Sequence, residues 1–273
     1  MKIVSALLGT FLLFQVQTTP DYTIEAIRYG TLSQYRVASL VVGTPGDERL
    51  DIAMVIWLIR GGGRTILVDT GFFREGRMER SGIVDYLRPD EAVRLAGVEP
   101  GDVTDIIITH AHWDHAGGVE LFPEATVWIQ RDEYVYYTAD AWQEGGRRQG
   151  DREDMLHLVK RNMSGKLRLV NGDDQEILPG IRVYTGARHT YASQYVRVDG
   201  DLPFVLASDN CYLYRNLETG LPVATFTPED RPANVRAFTR MRELAGSIDR
   251  IVPGHDPEQF ERFPGTGRIA RIR

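Results

Sequence analysis

Asp105-Ile106-Ile107-Ile108-Thr109-His110-Ala111-His112-Trp113-Asp114-His115-Ala116-Gly117-Gly118 decides the reading of this chain. Its first five residues read as a short, continuous apolar strand buried on both faces. Four residues able to ligate a metal then fall within six positions, His110, His112, Asp114 and His115, where the chain leaves the sheet. His-x-His on an extended backbone puts both imidazoles on one side, because strand side chains alternate faces. Asp114 and His115 follow on the turn, free to aim at a second point. Ala116-Gly117-Gly118 lets the backbone pass close by without side-chain obstruction. Neutral imidazole nitrogen and carboxylate oxygen both suit Zn²⁺. A lone histidine reads as a structural residue, but surface solvation gives no reason to pack three of the chain's six histidines into six positions.

Working outward, Asp51 to Arg60 and Arg64 to Asp69 are apolar runs joined by Gly61-Gly62-Gly63, which predicts a hairpin. Helical spacing appears around Asp90 to Leu95, and Ala125 to Gln130 is a further strand. Residues 131–163 are richer in charge and aromatics and predict helices at 131–142 and 151–162, a helical insertion near the site. Later strands are expected at Leu167–Val170, Ile181–Thr185, Gln194–Val198, Phe204–Ala207 and Arg250–Val252. Val235, Phe238, Met241 and Leu244 recur every three residues, as the core face of a helix can. Two strand-rich halves, each followed by helices, predict two packed sheets with helices outside.

His189 in Arg188-His189-Thr190, Asp209 in Ala207-Ser208-Asp209-Asn210 and His255 in Pro253-Gly254-His255-Asp256 each follow an expected strand. Singly they read as loop residues; beside the cluster they become ligand candidates. His157 sits in a charged helix and reads as a surface residue.

The pattern Thr109-His110-x-His112-x-Asp114-His115-x-Gly117-Gly118, followed by His189, Asp209 and His255, resembles the metallo-β-lactamase superfamily over nearly all of the chain after residue 20. The resemblance implies an α/β fold, an αββα sandwich with its metals at the sheet edge. It implies two divalent ions, expected to be Zn²⁺: one on His110, His112 and His189, the other on Asp114, His115 and His255, with Asp209 bridging. Val68-Asp69-Thr70-Gly71 is similar to the superfamily's early motif, whose Asp supports the site from behind the ligands. Zinc β-lactamases carry a Cys or a non-bridging residue where Asp209 stands, which points away from β-lactam hydrolysis. Cys211, two positions on, reads as a packing residue.

Within the superfamily the sequence is most similar to the N-acyl homoserine lactonases, the quorum-quenching lactonases. Tyr212 coincides with a tyrosine that lies against the lactone in those enzymes, and Thr225-Phe226-Thr227-Pro228 and Ile251-Val252-Pro253-Gly254-His255-Asp256 also look similar. The resemblance implies opening of a lactone ester, with one metal and Tyr212 stabilising the oxyanion and Asp114 or Asp209 handling a proton. Trp113, Tyr136, Tyr137 and Trp142 are candidates to line an acyl pocket, although core packing is their commoner fate. The alternatives are a glyoxalase II-type thioesterase with the same ligand set, or a hydrolase of another lactone. Eighteen residues follow His255, little room for the basic helical region such thioesterases carry.

A net charge of −6 and scattered Lys and Arg argue against a nucleic-acid groove. One cysteine excludes an intrachain disulfide and a Cys-rich zinc module. Met1-Lys2 precedes an uncharged, mostly apolar run of twelve residues, Ile3 to Phe14, too short to span a bilayer but suited to a signal-peptide core over residues 1–20. Export to the periplasm or medium is the expectation. The competing reading is a buried first element of a cytoplasmic protein. Residues 21–273 read as one metallo-hydrolase domain with no stable membrane insertion, a small-molecule substrate and an oligomeric state left open, a homodimer included.

Overall fold

In the computed structural model, which describes residues 19–273, β1 (Thr23–Arg36) runs antiparallel to β2 (Arg49–Gly61), which turns back into β3 (Arg64–Val68). Residues 1–18, and with them nearly all of the signal-peptide expectation, lie outside the described residues. Gly61 pairs with Arg64, so Gly62-Gly63 forms a two-residue turn with φ of 57° and 72°. Glycine takes those angles without strain, which is why the hairpin closes there.

Helices α1 (Glu75–Ser81) and α2 (Pro89–Leu95) flank β4 (Ile83–Val84), a short strand pairing with β1. The sheet then extends from β3 through β5 (Asp105–Ile107), β6 (Thr126–Gln130) and β7 (Leu167–Val170), all parallel. The crossovers carry α3 (Trp113–Ala116), α4 (Arg131–Thr138) and α5 (Arg152–Met163). A second sheet is built from β8 (Gln175–Leu178), β9 (Ile181–Thr185), β10 (Gln194–Val198) and β11 (Phe204–Ser208), antiparallel in turn. After α6 (Tyr214–Thr219) and α7 (Arg231–Ala245), β12 (Ile251–Pro253) joins parallel to β11. Past α8 (Gln259–Arg262) the chain crosses back, and the hairpin β13 (Gly265–Thr266) and β14 (Ile269–Arg271) closes the first sheet against β1.

The layers run helix, sheet, sheet, helix, the αββα sandwich that the resemblance implies. Alternation along β2 shows why. Met54, Ile56 and Leu58 pack under α2, α4 and α5, whereas Ala53, Val55, Trp57 and Ile59 enter the core between the two sheets. A third core joins Tyr195, Val205 and Ala207 of the second sheet to Phe238 and Met241 of α7.

The longest strand is β1, and no sequence period over residues 23–36 predicts it. It carries register shifts between Arg28 and Gly30 and between Leu32 and Tyr35, so its burial never shows a clean period of two. On α7, Phe238 and Met241 are fully buried, but Val235 is 36% exposed and the inward face is Asn234, Ala237, Phe238, Met241 and Ala245. A strict three-residue spacing falls behind a 3.6-residue turn by about 60° per step, so Val235 and Leu244 drift to the edges.

Candidate metal centre

All the ligand candidates lie at one end of the two sheets. His110 and His112 follow β5, His189 lies between β9 and β10, Asp209 follows β11 and His255 follows β12. Asp114 and His115 are not on an open turn: they belong to the one-turn helix α3, whose first residue follows His112. The helix turns both side chains back toward the strand ends.

Two clusters result, one of His110, His112, His189 and Asp209, the other of Asp114, His115 and His255. In the first, Nδ1 of His112 is 3.0 Å from Nε2 of both His110 and His189, and Oδ2 of Asp209 is 3.5 and 3.1 Å from those two nitrogens. In the second, Oδ1 of Asp209 is 3.3 Å from Nε2 of His115 and 3.1 Å from Nε2 of His255. Oδ2 of Asp114 is 3.6 and 3.8 Å from the same nitrogens. The carboxylate of Asp209 thus sends one oxygen into each cluster.

Donor separations test whether metals fit. Zn–N bonds of about 2.0–2.1 Å in a tetrahedron set ligand atoms about 3.3 Å apart, the middle of the separations in both clusters. Nε2 of His115 and Oδ1 of Asp209 are also fully buried without a hydrogen-bond partner. Orphaned polar atoms cost about 1–3 kcal/mol each, and a cation between them removes that cost. The residues present fit two divalent ions.

Ring orientation is held from behind. Oδ2 of Asp69 accepts the Nδ1–H of His115 at 2.7 Å and the Thr109 hydroxyl at 2.8 Å, while its Oδ1 takes the Thr109 backbone N–H at 2.8 Å. The Thr109 hydroxyl is in turn 3.0 Å from Nδ1 of His110. Nδ1–H of His255 donates to the Ala53 carbonyl at 2.9 Å, and Nδ1 of His189 lies 3.4 Å from the Thr225 hydroxyl. For His115 and His255 the partner can only accept, so Nδ1 carries the proton and Nε2 keeps its lone pair for a metal.

The backbone is bent to serve this arrangement. Asp69 and Ser208, the residues that aim the chain into the site from β3 and β11, have φ of 62° and 47°. Such angles cost a non-glycine residue of order 1–3 kcal/mol and persist where the surroundings impose them. Gly118 is required by close approach, since a Cβ there would collide with the Thr70 carbonyl oxygen. Thr70 clamps α3 by donating its N–H and hydroxyl to the His115 carbonyl, both at 2.8 Å.

Burial holds His110 and His112 well below the usual imidazole range, and neighbouring histidines add to the effect. Burial pushes His115 and His255 the same way, but Asp209 and Asp114 outweigh it and both rise. Burial would raise Asp209, yet His115, His255, His110 and His189 hold it well below the carboxylate range. The centre is therefore a carboxylate drawn toward its ionised form by the imidazoles around it.

A cavity of about 150 Å³ faces both clusters, walled by Leu32, Tyr35, Leu40, Ile52, Trp113 and Tyr212. The Tyr212 ring lies between the clusters, 5.8 Å from the His189 ring and 5.5 Å from that of His255. Of the aromatic candidates, Trp113 lines this cavity, Tyr136 and Tyr137 line a separate groove beside His189, and Trp142 faces a third depression between α4 and α5. Cys211 is buried in the core under α7, and His157 is half-buried on α5, outside both clusters.

Glu133 was not singled out from sequence. Its carboxylate, fully buried, accepts the Ala111 N–H at 2.8 Å and the Ala192 N–H at 2.6 Å. It therefore ties the His110–His112 loop to the His189 loop. In Arg131-Asp132-Glu133-Tyr134 it looks like one more surface acid; the only hint is its phase with Tyr137 on the inner face of α4.

The sequence model of the Metallo-beta-lactamase superfamily matches residues 54–255. An N-acyl homoserine lactonase from a Bacillus species is 29% identical over 238 residues, covering 79% of this chain and 86% of the relative. The N-acyl homoserine lactonase AttM of Rhizobium radiobacter is 26% identical over 267 residues, 89% of this chain and 96% of its own. An N-acyl homoserine lactone hydrolase solved with N-hexanoyl-L-homoserine at its catalytic metal center superimposes with a TM-score of 0.72 at 24% identity. That superposition covers 90% of this chain and 98% of the other, a likeness of fold. The chain belongs to the metallo-beta-lactamase superfamily.

Proposed function

We propose that this member of the metallo-beta-lactamase superfamily is a dinuclear, zinc-dependent hydrolase that opens the ester of a lactone, with N-acyl homoserine lactones as the substrate class. The observation that carries the proposal is the Asp209 carboxylate divided between the two clusters, with Tyr212 beside it. The names of the relatives support the choice of a lactone over other esters.

Two bound divalent ions supply water that ionises near neutral pH and a Lewis acid for the ester carbonyl. The chain supplies the rest. His110, His112 and His189 would hold one ion and Asp114, His115 and His255 the other, with Asp209 offering one oxygen to each cluster. Burial, reinforced by Asp209, keeps the Tyr212 phenol well above its usual range, so its hydroxyl is a donor at neutral pH. The residue lines the cavity, and in this reading its hydroxyl donates to the oxygen on which negative charge develops. Asp114, 12% exposed at the cavity wall, is the carboxylate placed to pass a proton to the departing alkoxide. Leu32, Leu40 and Ile52 form an apolar part of that wall, which lowers the local dielectric around these interactions.

The residues after His255 form α8 and the β13–β14 hairpin on the first sheet. A substrate panel separates the lactone reading from a thioesterase. Zinc-loaded protein is given N-hexanoyl-homoserine lactone, S-lactoylglutathione and a β-lactam. The lactone should be opened with kcat/KM of at least about 10⁴ M⁻¹s⁻¹, an ordinary enzymatic value, and the other two far more slowly. Faster cleavage of the thioester would overturn the proposal.

A further inference from the structure

We infer that the Tyr35 hydroxyl recognises the amide of an acylamino-substituted lactone, donating to its carbonyl at the mouth of the metal cavity. Asp51 positions Tyr35 there by locking a bulge in β1. The inference rests on the lactone reading above and adds the group that selects the substituent, which that reading leaves open.

Strand pairing shows why residue 35 reaches the cavity. Leu32 lies opposite Ile52 and Tyr35 opposite Leu50, so three steps along β1 match two along β2. Side chains alternate faces along a strand, and three regular steps from Leu32 would send residue 35 to the opposite side. The extra residue returns it to the side of Leu32, and Leu32, Tyr35 and Ile52 all line the cavity at the two clusters.

One atom holds the bulge. Oδ1 of Asp51 accepts the Gln34 backbone N–H at 2.6 Å, the Ser33 hydroxyl at 2.9 Å and the Gln34 side-chain amide at 3.2 Å. Gln34 takes a φ of 54°, an angle that a non-glycine residue keeps only where its surroundings impose it. Ser33, Gln34 and Asp51 are themselves exposed, and none of them lines the cavity. Their bonds reach a substrate only through the aim of Tyr35.

Tyr212 is 7% exposed and Tyr35 36%, so the two phenols stand at the floor and the mouth of the same cavity. Burial raises the Tyr35 phenol, the charges of Asp114 and Asp209 add to the rise, and Tyr35 in turn adds to the rise at Tyr212. The Tyr35 hydroxyl therefore lies within electrostatic reach of both clusters. At about 150 Å³ the cavity is smaller than the ~300–1,000 Å³ of pockets that enclose a drug-sized ligand. A lactone ring at the clusters leaves its substituent at the mouth, beside Tyr35. On an acylamino lactone the first polar group there is the amide, whose carbonyl can accept from a phenol O–H.

The test measures kcat/KM for N-hexanoyl-homoserine lactone and for γ-nonalactone, which has an alkyl tail but no amide, on full-length protein matched for bound zinc. Tyr35→Phe removes only the hydroxyl, and Asp51→Ala releases the bulge while changing no residue of the cavity. Each should lower the ratio of the first value to the second by about tenfold, the net worth of one hydrogen bond, with the loss in KM for the amide substrate. The double variant should lose no more than either single one, because both act through the same bond. A ratio that either substitution leaves unmoved, or losses that multiply in the double variant, overturns the inference. If neither lactone is opened, the lactone reading fails and takes this inference with it, whereas opening of both with an unmoved ratio sinks only the role of Tyr35.

Discussion

Asp209→Asn keeps the size of the side chain and removes one oxygen and the negative charge from the point where both clusters meet. In the native site one oxygen lies 3.1 Å from Nε2 of His189 and the other 3.1 Å from Nε2 of His255. The amide presents its NH₂ to one of the two clusters, where a cation would be repelled. Losing even one unit-charge attraction at about 4 Å with an effective dielectric of 20 is worth about 4 kcal/mol, or about 10³ in affinity. The variant should hold close to one equivalent of metal after dialysis against a weak chelator, where the wild type holds two. Elemental analysis of the dialysed protein reads the stoichiometry, and lactone opening by the same sample should fall by at least about 10³-fold. Two retained equivalents together with wild-type turnover would refute the bridging role.

Tyr212→Phe should lower kcat on N-hexanoyl-homoserine lactone by about 10²-fold with KM little changed, the cost of one oxyanion donor; an unchanged kcat would remove Tyr212 from the chemistry. Glu133→Gln leaves one of two loop amides facing an NH₂ group, so stability should drop by about 1–3 kcal/mol in urea unfolding. Affinity at the His110, His112 and His189 position should weaken more than at the other; equal loss at both would make Glu133 a general structural residue. Asp154 bonds Arg74 at 3.1 Å, yet burial pushes its carboxyl up to about 6. The folded protein therefore binds this proton more tightly than the unfolded chain, and wild-type stability falls as pH rises through the window from about 4 to 6. Relative to Asp154→Asn the loss should be about 3 kcal/mol, and urea titrations of both proteins at pH 4 and 7 would contradict it by showing a constant difference.

Legibility differed by the kind of signal each feature leaves in the chain. Ile181–Thr185 and Gln194–Val198 were read with their observed bounds because short runs rich in β-branched and aromatic residues end at turns. The metal cluster was legible because His110, His112, Asp114 and His115 are close in sequence, and His189, Asp209 and His255 each sit where a strand ends. The bulged strand β1 and the two-residue strands β4 and β13 carry no period long enough to read. Glu133 and Ser208 gave no signal for another reason. Their roles are contacts between loops 22 to 139 residues apart, and nothing local distinguishes a buried acid or hydroxyl from a solvated one.

Titrating zinc into metal-stripped protein while following N-hexanoyl-homoserine lactone opening in a pH-stat tests the central claim most directly. The rate should stay near zero without metal and rise with zinc until two equivalents are bound. A stripped protein that opens the lactone at the loaded rate, or a fully loaded one that opens none, would contradict the account.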